Sequence, residues 1–170
     1  DNHTWLRRQR QMCIRDSLIQ CRQPKAQHPI MKIIQTRGQG PVINMLHGWG
    51  MHAGIFKSWA TDLSNDFTLN LIDLPGHGQN RDRLLSDNAE DLVNDCREIP
   101  SGVWLGWSMG GLIALNQAIH KPEQVNALIM VCATPCFQAK PHWPQGMPIK
   151  TVGASVSYTH LRAHETTSHL

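Results

Sequence analysis

The 170-residue chain has no apolar run long enough to span a membrane; its longest clean run is Ala127 to Ala133, far short of the roughly 20 residues required. The first thirty residues lack the apolar core of a signal peptide. The cysteines, at 13, 21, 96, 132 and 136, form no C-x-x-C pair, and their odd number speaks against a disulfide framework or a zinc knuckle. Free thiols fit a reducing compartment, so a cytoplasmic setting is expected. There is no solenoid-type repeat, no Walker-type glycine loop, no dinucleotide fingerprint and no metal-ligand cluster; no cofactor and no metal are expected. His160 and His164 are spaced i, i+4, but no third ligand is placed near them.

The formal net charge of +3 is unevenly placed. Residues 1–30 hold six basic and two acidic side chains, residues 31–150 nine and ten, and residues 151–170 one of each. The folded body is therefore near neutral, which argues against nucleic acid as a partner. Neither is a membrane expected as one. With 41% apolar and 17% charged residues, the composition is that of one globular domain.

Only residues 31–150 carry sustained periodicity. Met31 to Thr36, Val42 to Leu46, Phe67 to Ile72, Val103 to Gly106 and Val125 to Cys132 read as strands. Ile55 to Leu63, Asn88 to Arg97 and Gly110 to His120 read as helices, the second with Asp87 or Asn88 as its cap. Strands that alternate with helices, and are apolar on both faces, predict an α/β fold with a mostly parallel sheet covered on both sides. Trp59, on a helix face, is expected in the core, and Cys96 and Cys132 are expected as buried hydrophobes.

The sharpest chemical feature is Gly106-Trp107-Ser108-Met109-Gly110, set between a strand and a helix. A chain that turns from strand to helix within one or two residues strains the serine backbone, and glycines at 106 and 110 relieve the crowding. The hydroxyl of Ser108 then stands above the sheet, at the positive end of the following helix. The bland alternative is an ordinary turn in which Ser108 caps the helix. The second feature is His47-Gly48-Trp49-Gly50 at the end of an apolar strand. Acyl transfer needs two N–H donors for the developing oxyanion; Met109 follows the serine, and the glycine-flanked Trp49 can offer the other. Asp73 closes a strand, but the Pro-Gly-x-Gly after it suits a structural loop. His120 is expected to complement the C-terminal end of its helix.

H-G-W-G, D-L-P-G-H-G and W-L-G-W-S-M-G-G-L, in this order, resemble the N-terminal half of an α/β-hydrolase. More closely, Q-T-R-G-Q-G, the G-W-S-M-G-G elbow and A-T-P-C-F-Q-A-K-P-H-W-P are similar to the pimeloyl-acyl-carrier-protein methyl ester esterases of biotin synthesis. The resemblance implies a three-layer fold, Ser108 as nucleophile, the Trp49 and Met109 amides as oxyanion donors with Gly48, Gly106 and Gly110 in support, and Trp49 lining the acyl pocket. It implies pimeloyl methyl ester on acyl carrier protein as substrate and partner. Other α/β-hydrolases, such as a carbon–carbon hydrolase or a general esterase, share the elbow, and a non-catalytic binding protein can keep the fold.

In this superfamily the acid and the base follow the serine. Neither is recognisable after Ser108, so the domain is expected to be cut short after the strand that follows the nucleophile helix, and the chain to be catalytically incomplete. Residues 1–30 and 151–170 are expected to be a leader and a tail outside the family. M-C-I-R-D-S and V-S-Y-T-H-L-R-A-H-E-T resemble translated sequencing-adapter strings.

Overall fold

The computed structural model describes residues 30–83, 88–148 and 150–151; all of the expected leader but Ile30, and all of the expected tail but Thr151, lie outside them. Five strands, β1 (Lys32–Arg37), β2 (Val42–Leu46), β3 (Thr68–Asp73), β4 (Gly102–Trp107) and β5 (Val125–Val131), form one sheet in the order β1-β3-β2-β4-β5. β1 runs antiparallel to β3, and every other pairing is parallel. The mostly parallel α/β sheet expected from the sequence is present, with its boundaries moved by a residue or two.

Helix α1 (Lys57–Leu63), entered through a 3₁₀ turn at Ala53–Phe56, covers one face. Ala53, Phe56 and Ala60 pack there on Met45, Leu69 and Leu71. Helices α2 (Ala89–Asp95) and α3 (Met109–His120) lie on the opposite side of the core, where Cys96, Ile99, Ile113 and Ala114 meet Leu46, Ile72 and Trp104. Odd and even positions of β2 thus serve different layers, the period-two consequence of the pleat. Asn88 caps α2, its side chain accepting the Asp91 N–H at 2.9 Å.

A chain of amides crosses the sheet beneath the α2–α3 layer. Thr36 Oγ1 donates to Asn70 Oδ1, Asn70 Nδ2 to Asn44 Oδ1 and Asn44 Nδ2 to the Pro100 carbonyl, at 2.8–2.9 Å. Asn44 pairs with Asn70, and Asn70 with Thr36, in the strand register. The buried Asn44 and Asn70 are thereby satisfied, as groups withdrawn from water must be.

Two expectations, on Trp59 and Cys132, need correction. Trp59 is 44% exposed: Phe56 and Ala60 fill the contact with the sheet, and the Trp59 ring lies outside them, its centroid 5.9 Å from that of Phe56. β5, read as an apolar strand, is one and sits at the edge of the described sheet, leaving Ile129 42% exposed. Cys132 is exposed rather than buried, because the chain leaves β5 there with φ +48°. Cys96 is buried as expected, and burial, with the neighbouring Asp95 carboxylate, pushes its thiol up to about 12. No helix of the described residues is long and apolar enough to cross a membrane.

Candidate active site

Ser108 stands between the end of β4 and the first residue of α3, with φ +53° and ψ −115°. That conformation matches the first corner of a type II′ turn, which glycine normally occupies. Holding a serine there costs about 1–3 kcal/mol. The side chain makes no capping hydrogen bond to α3, so the bland reading of a serine N-cap does not describe it. Its backbone is fixed from the neighbouring strand instead, the Ser108 N–H donating to the Val131 carbonyl at 2.9 Å. Ser108→Gly is expected to raise stability by about 1 kcal/mol, because glycine takes this conformation without strain. A higher urea midpoint at unchanged slope would show it; a lower midpoint would refute the strain.

The glycines expected around the serine are required by contact. A Cβ on Gly106 would enter the backbone of Gly110 and Gly111, and one on Gly110 would enter the carbonyls of Leu46 and His47. Added to Gly48, it would stand 3.1 Å from Ser108 Cβ and 3.1 Å from the Trp107 ring. The loop after β2 therefore passes directly against the elbow, and Trp49 is its next residue. Met109 opens α3, as its first residue, where a helical N–H has no intrahelical carbonyl to reach. The two expected donor residues are thus brought to the same corner as the hydroxyl.

His47 is fully buried beneath this loop. Its Nδ1 bonds the Gly48 carbonyl at 2.8 Å, and its Nε2 accepts the Leu74 N–H at 3.0 Å. The ring therefore carries its proton on Nδ1 and is neutral. Burial holds its pKa down at about 4, against the smaller upward pull of the Gly48 carbonyl. Asp73 lies 3.6 Å from Nε2, but its carboxylate is used elsewhere. Oδ1 accepts the Ala53 N–H at 2.7 Å and Oδ2 the Gln79 N–H at 2.8 Å, so Asp73 staples two loops together.

Beside the elbow lies an apolar cleft of about 260 Å³, lined by Met51, Ile55, Phe56, Trp59, Trp107 and Val131. Trp49 is not among its walls; its ring stands edge-on to His77, with centroids 5.2 Å apart. Trp59, assigned to the core by its helical spacing, is here a wall of the cleft. Among the described residues, no histidine hydrogen-bonds the Ser108 hydroxyl. His120 bonds the Asn116 carbonyl in the last turn of α3, where its expected C-terminal position puts it. No group of metal-ligating side chains occurs among the described residues.

The family model described as serine aminopeptidase, S33, matches residues 39–168. Among solved structures, the chain is similar to an esterase from Exiguobacterium antarcticum, at 25% identity and TM-score 0.66, over 78% of this chain and 56% of that one. It is also similar to a marine microorganism esterase (25% identity, TM-score 0.57, 69% of this chain and 48% of that one). A Rhodococcus esterase matches at 28% identity and TM-score 0.53, over 58% of this chain and 40% of that one. The chain spans about half the length of these esterases.

Proposed function

The chain belongs to the serine aminopeptidase S33 family of α/β-hydrolases, and on that footing we propose that its protein is a serine carboxylesterase with Ser108 as the nucleophile. The observation that carries the reading is the backbone of Ser108: a strained, uncapped serine at the head of α3, against the glycine-rich loop that bears Trp49. Such strain is kept where it serves a purpose.

In this reaction Ser108 Oγ attacks the ester carbonyl carbon and gives up its proton to a base. The carbonyl oxygen becomes an oxyanion, which the Trp49 and Met109 N–H groups stabilise. The C–O bond to the alcohol then breaks, the alcohol leaving with a proton, and water hydrolyses the acyl-enzyme to release the acid and restore Ser108. The base is not among the described histidines. Loss of the histidine alone costs about 10⁶ in turnover in subtilisin, so without a base Ser108 acts slowly.

The cleft favours an ester with an apolar limb. Its six walls carry no charged side chain, whereas a substrate with a free amino terminus would call for a carboxylate. A general esterase therefore suits the site. The narrower assignment, hydrolysis of the methyl ester of pimeloyl-acyl carrier protein in the cytoplasm, is supported by the likeness of the G-W-S-M-G-G and Q-T-R-G-Q-G segments.

Prolonged incubation with excess fluorophosphonate tests the nucleophile. Peptide mass spectrometry is expected to find the adduct on Ser108, and none on Ser108→Ala. A folded chain that stays unlabelled at Ser108 would remove the assignment. Methyl esters of medium-chain acids set against amino-acid amides then test the substrate class.

A further inference from the structure

The loop that bears Trp49 is held by two imidazoles, and the second comes from a different part of the chain. His77 lies in the turn after β3, within Asp73-Leu74-Pro75-Gly76-His77-Gly78. Its Nδ1 bonds the Pro75 carbonyl at 2.9 Å, and its Nε2 accepts the Gly50 N–H at 3.0 Å. Its ring stands edge-on to Trp49 and, at 5.3 Å between centroids, edge-on to His47.

Resting on the esterase reading above, we propose that His77 is a positioning residue for the oxyanion site, fixing the Trp49 amide by holding the residue that follows it. Trp49 is flanked by glycines, so its own backbone does little to restrain the peptide. Restraint comes from the Met51 N–H, which donates to the Gly48 carbonyl at 3.3 Å, and from the two imidazoles. His47 Nδ1 ties the Gly48 carbonyl on one side of Trp49, and His77 Nε2 ties the Gly50 N–H on the other. In both rings Nε2 accepts a backbone N–H, which leaves the hydrogen on Nδ1 to face a carbonyl.

The turn that carries His77 is itself braced. The Gly76 N–H donates to the Asn80 carbonyl at 3.0 Å, the Asn80 N–H to the His77 carbonyl at 2.8 Å, and Asn80 Nδ2 to the Asp73 carbonyl at 2.6 Å. A rigid turn thus passes its position through one imidazole to the donor loop. Donors aimed in advance at a developing charge are the main source of oxyanion stabilisation. A displacement of about 1 Å at such a site costs as much as 10²-fold in rate.

Two variants of the full chain separate positioning from bulk. His77→Phe keeps a ring beside Trp49 but loses the acceptor; His77→Gln keeps an acceptor near the Nε2 position. His77→Phe is expected to slow fluorophosphonate labelling of Ser108 about tenfold and to release the Gly50 amide to hydrogen exchange, with little change in melting temperature. His77→Gln is expected to label within about threefold of wild type, a rescue that a purely structural histidine would not show. Labelling of His77→Phe at the wild-type rate would overturn the proposal, and so would a Gly50 amide equally protected in both proteins. If wild-type Ser108 takes no label at all, the esterase reading falls, and Gly50 exchange alone decides whether His77 holds the loop.

Discussion

Gly110→Ala is expected to destabilise the fold by about 3 kcal/mol or more, the largest single effect anticipated in this chain. The added methyl would meet the carbonyls of Leu46 and His47, which are backbone atoms of the central strand β2 and the turn leaving it. A flexible side chain could swing aside; these cannot, because Leu46 is paired in register with both Ile72 and Gly106. The choice left to the structure is to lift the start of α3 off the sheet or to break the end of β2. Both separate Ser108 from the Trp49 loop, so stability and fluorophosphonate labelling should be lost together. Against a total stability of roughly 5–15 kcal/mol, that loss is visible as a large drop in the urea midpoint. A midpoint within about 0.5 kcal/mol of wild type would mean that α3 does not lie this close to β2.

Acid is expected to weaken the protein through His47. The ring is neutral in the fold, with its pKa lowered from 6.5 to about 4. Between those values the unfolded chain binds a proton that the folded chain refuses, so stability falls as pH falls. The contribution is fully present above about pH 6.5, and about 3 kcal/mol of it is gone below pH 4. Protonation at Nε2 would also remove the acceptor of the Leu74 N–H and place a charge where no water reaches. Denaturant melts at pH 7 and pH 5, compared with His47→Asn, isolate the effect from other titrating groups. The variant should be less stable at pH 7 and much flatter with pH. Should it not fold, the imidazole signals of wild-type His47 decide the matter: they should still report a neutral ring at pH 5.

The legible parts of the fold are those in which a residue type answers a local steric demand. Gly106 and Gly110 could be read because only glycine tolerates backbone at that range, and the demand repeats at fixed spacing around Ser108. Asn88 could be read as a cap because its side chain replaces a missing carbonyl within three residues. What was not legible depends on partners distant in the chain. The spacing of α1 marks a face but cannot say which of its members meet the sheet and which line a cleft, and so it assigns Trp59 to the core. The direction of β1 leaves no trace in its alternation. His77 reads as part of a turn, and its bond to Gly50 spans two loops that no local pattern connects.

The hydrogen bond from Ser108 to Val131 carries a consequence for biosynthesis. The carbonyl that anchors the corner is translated well after the motif, on the far side of α3. When the serine leaves the ribosome, its anchor is still inside the exit tunnel. The nascent segment is then free to relax into ordinary backbone angles, and the corner tightens only once β5 has emerged and docked alongside β4.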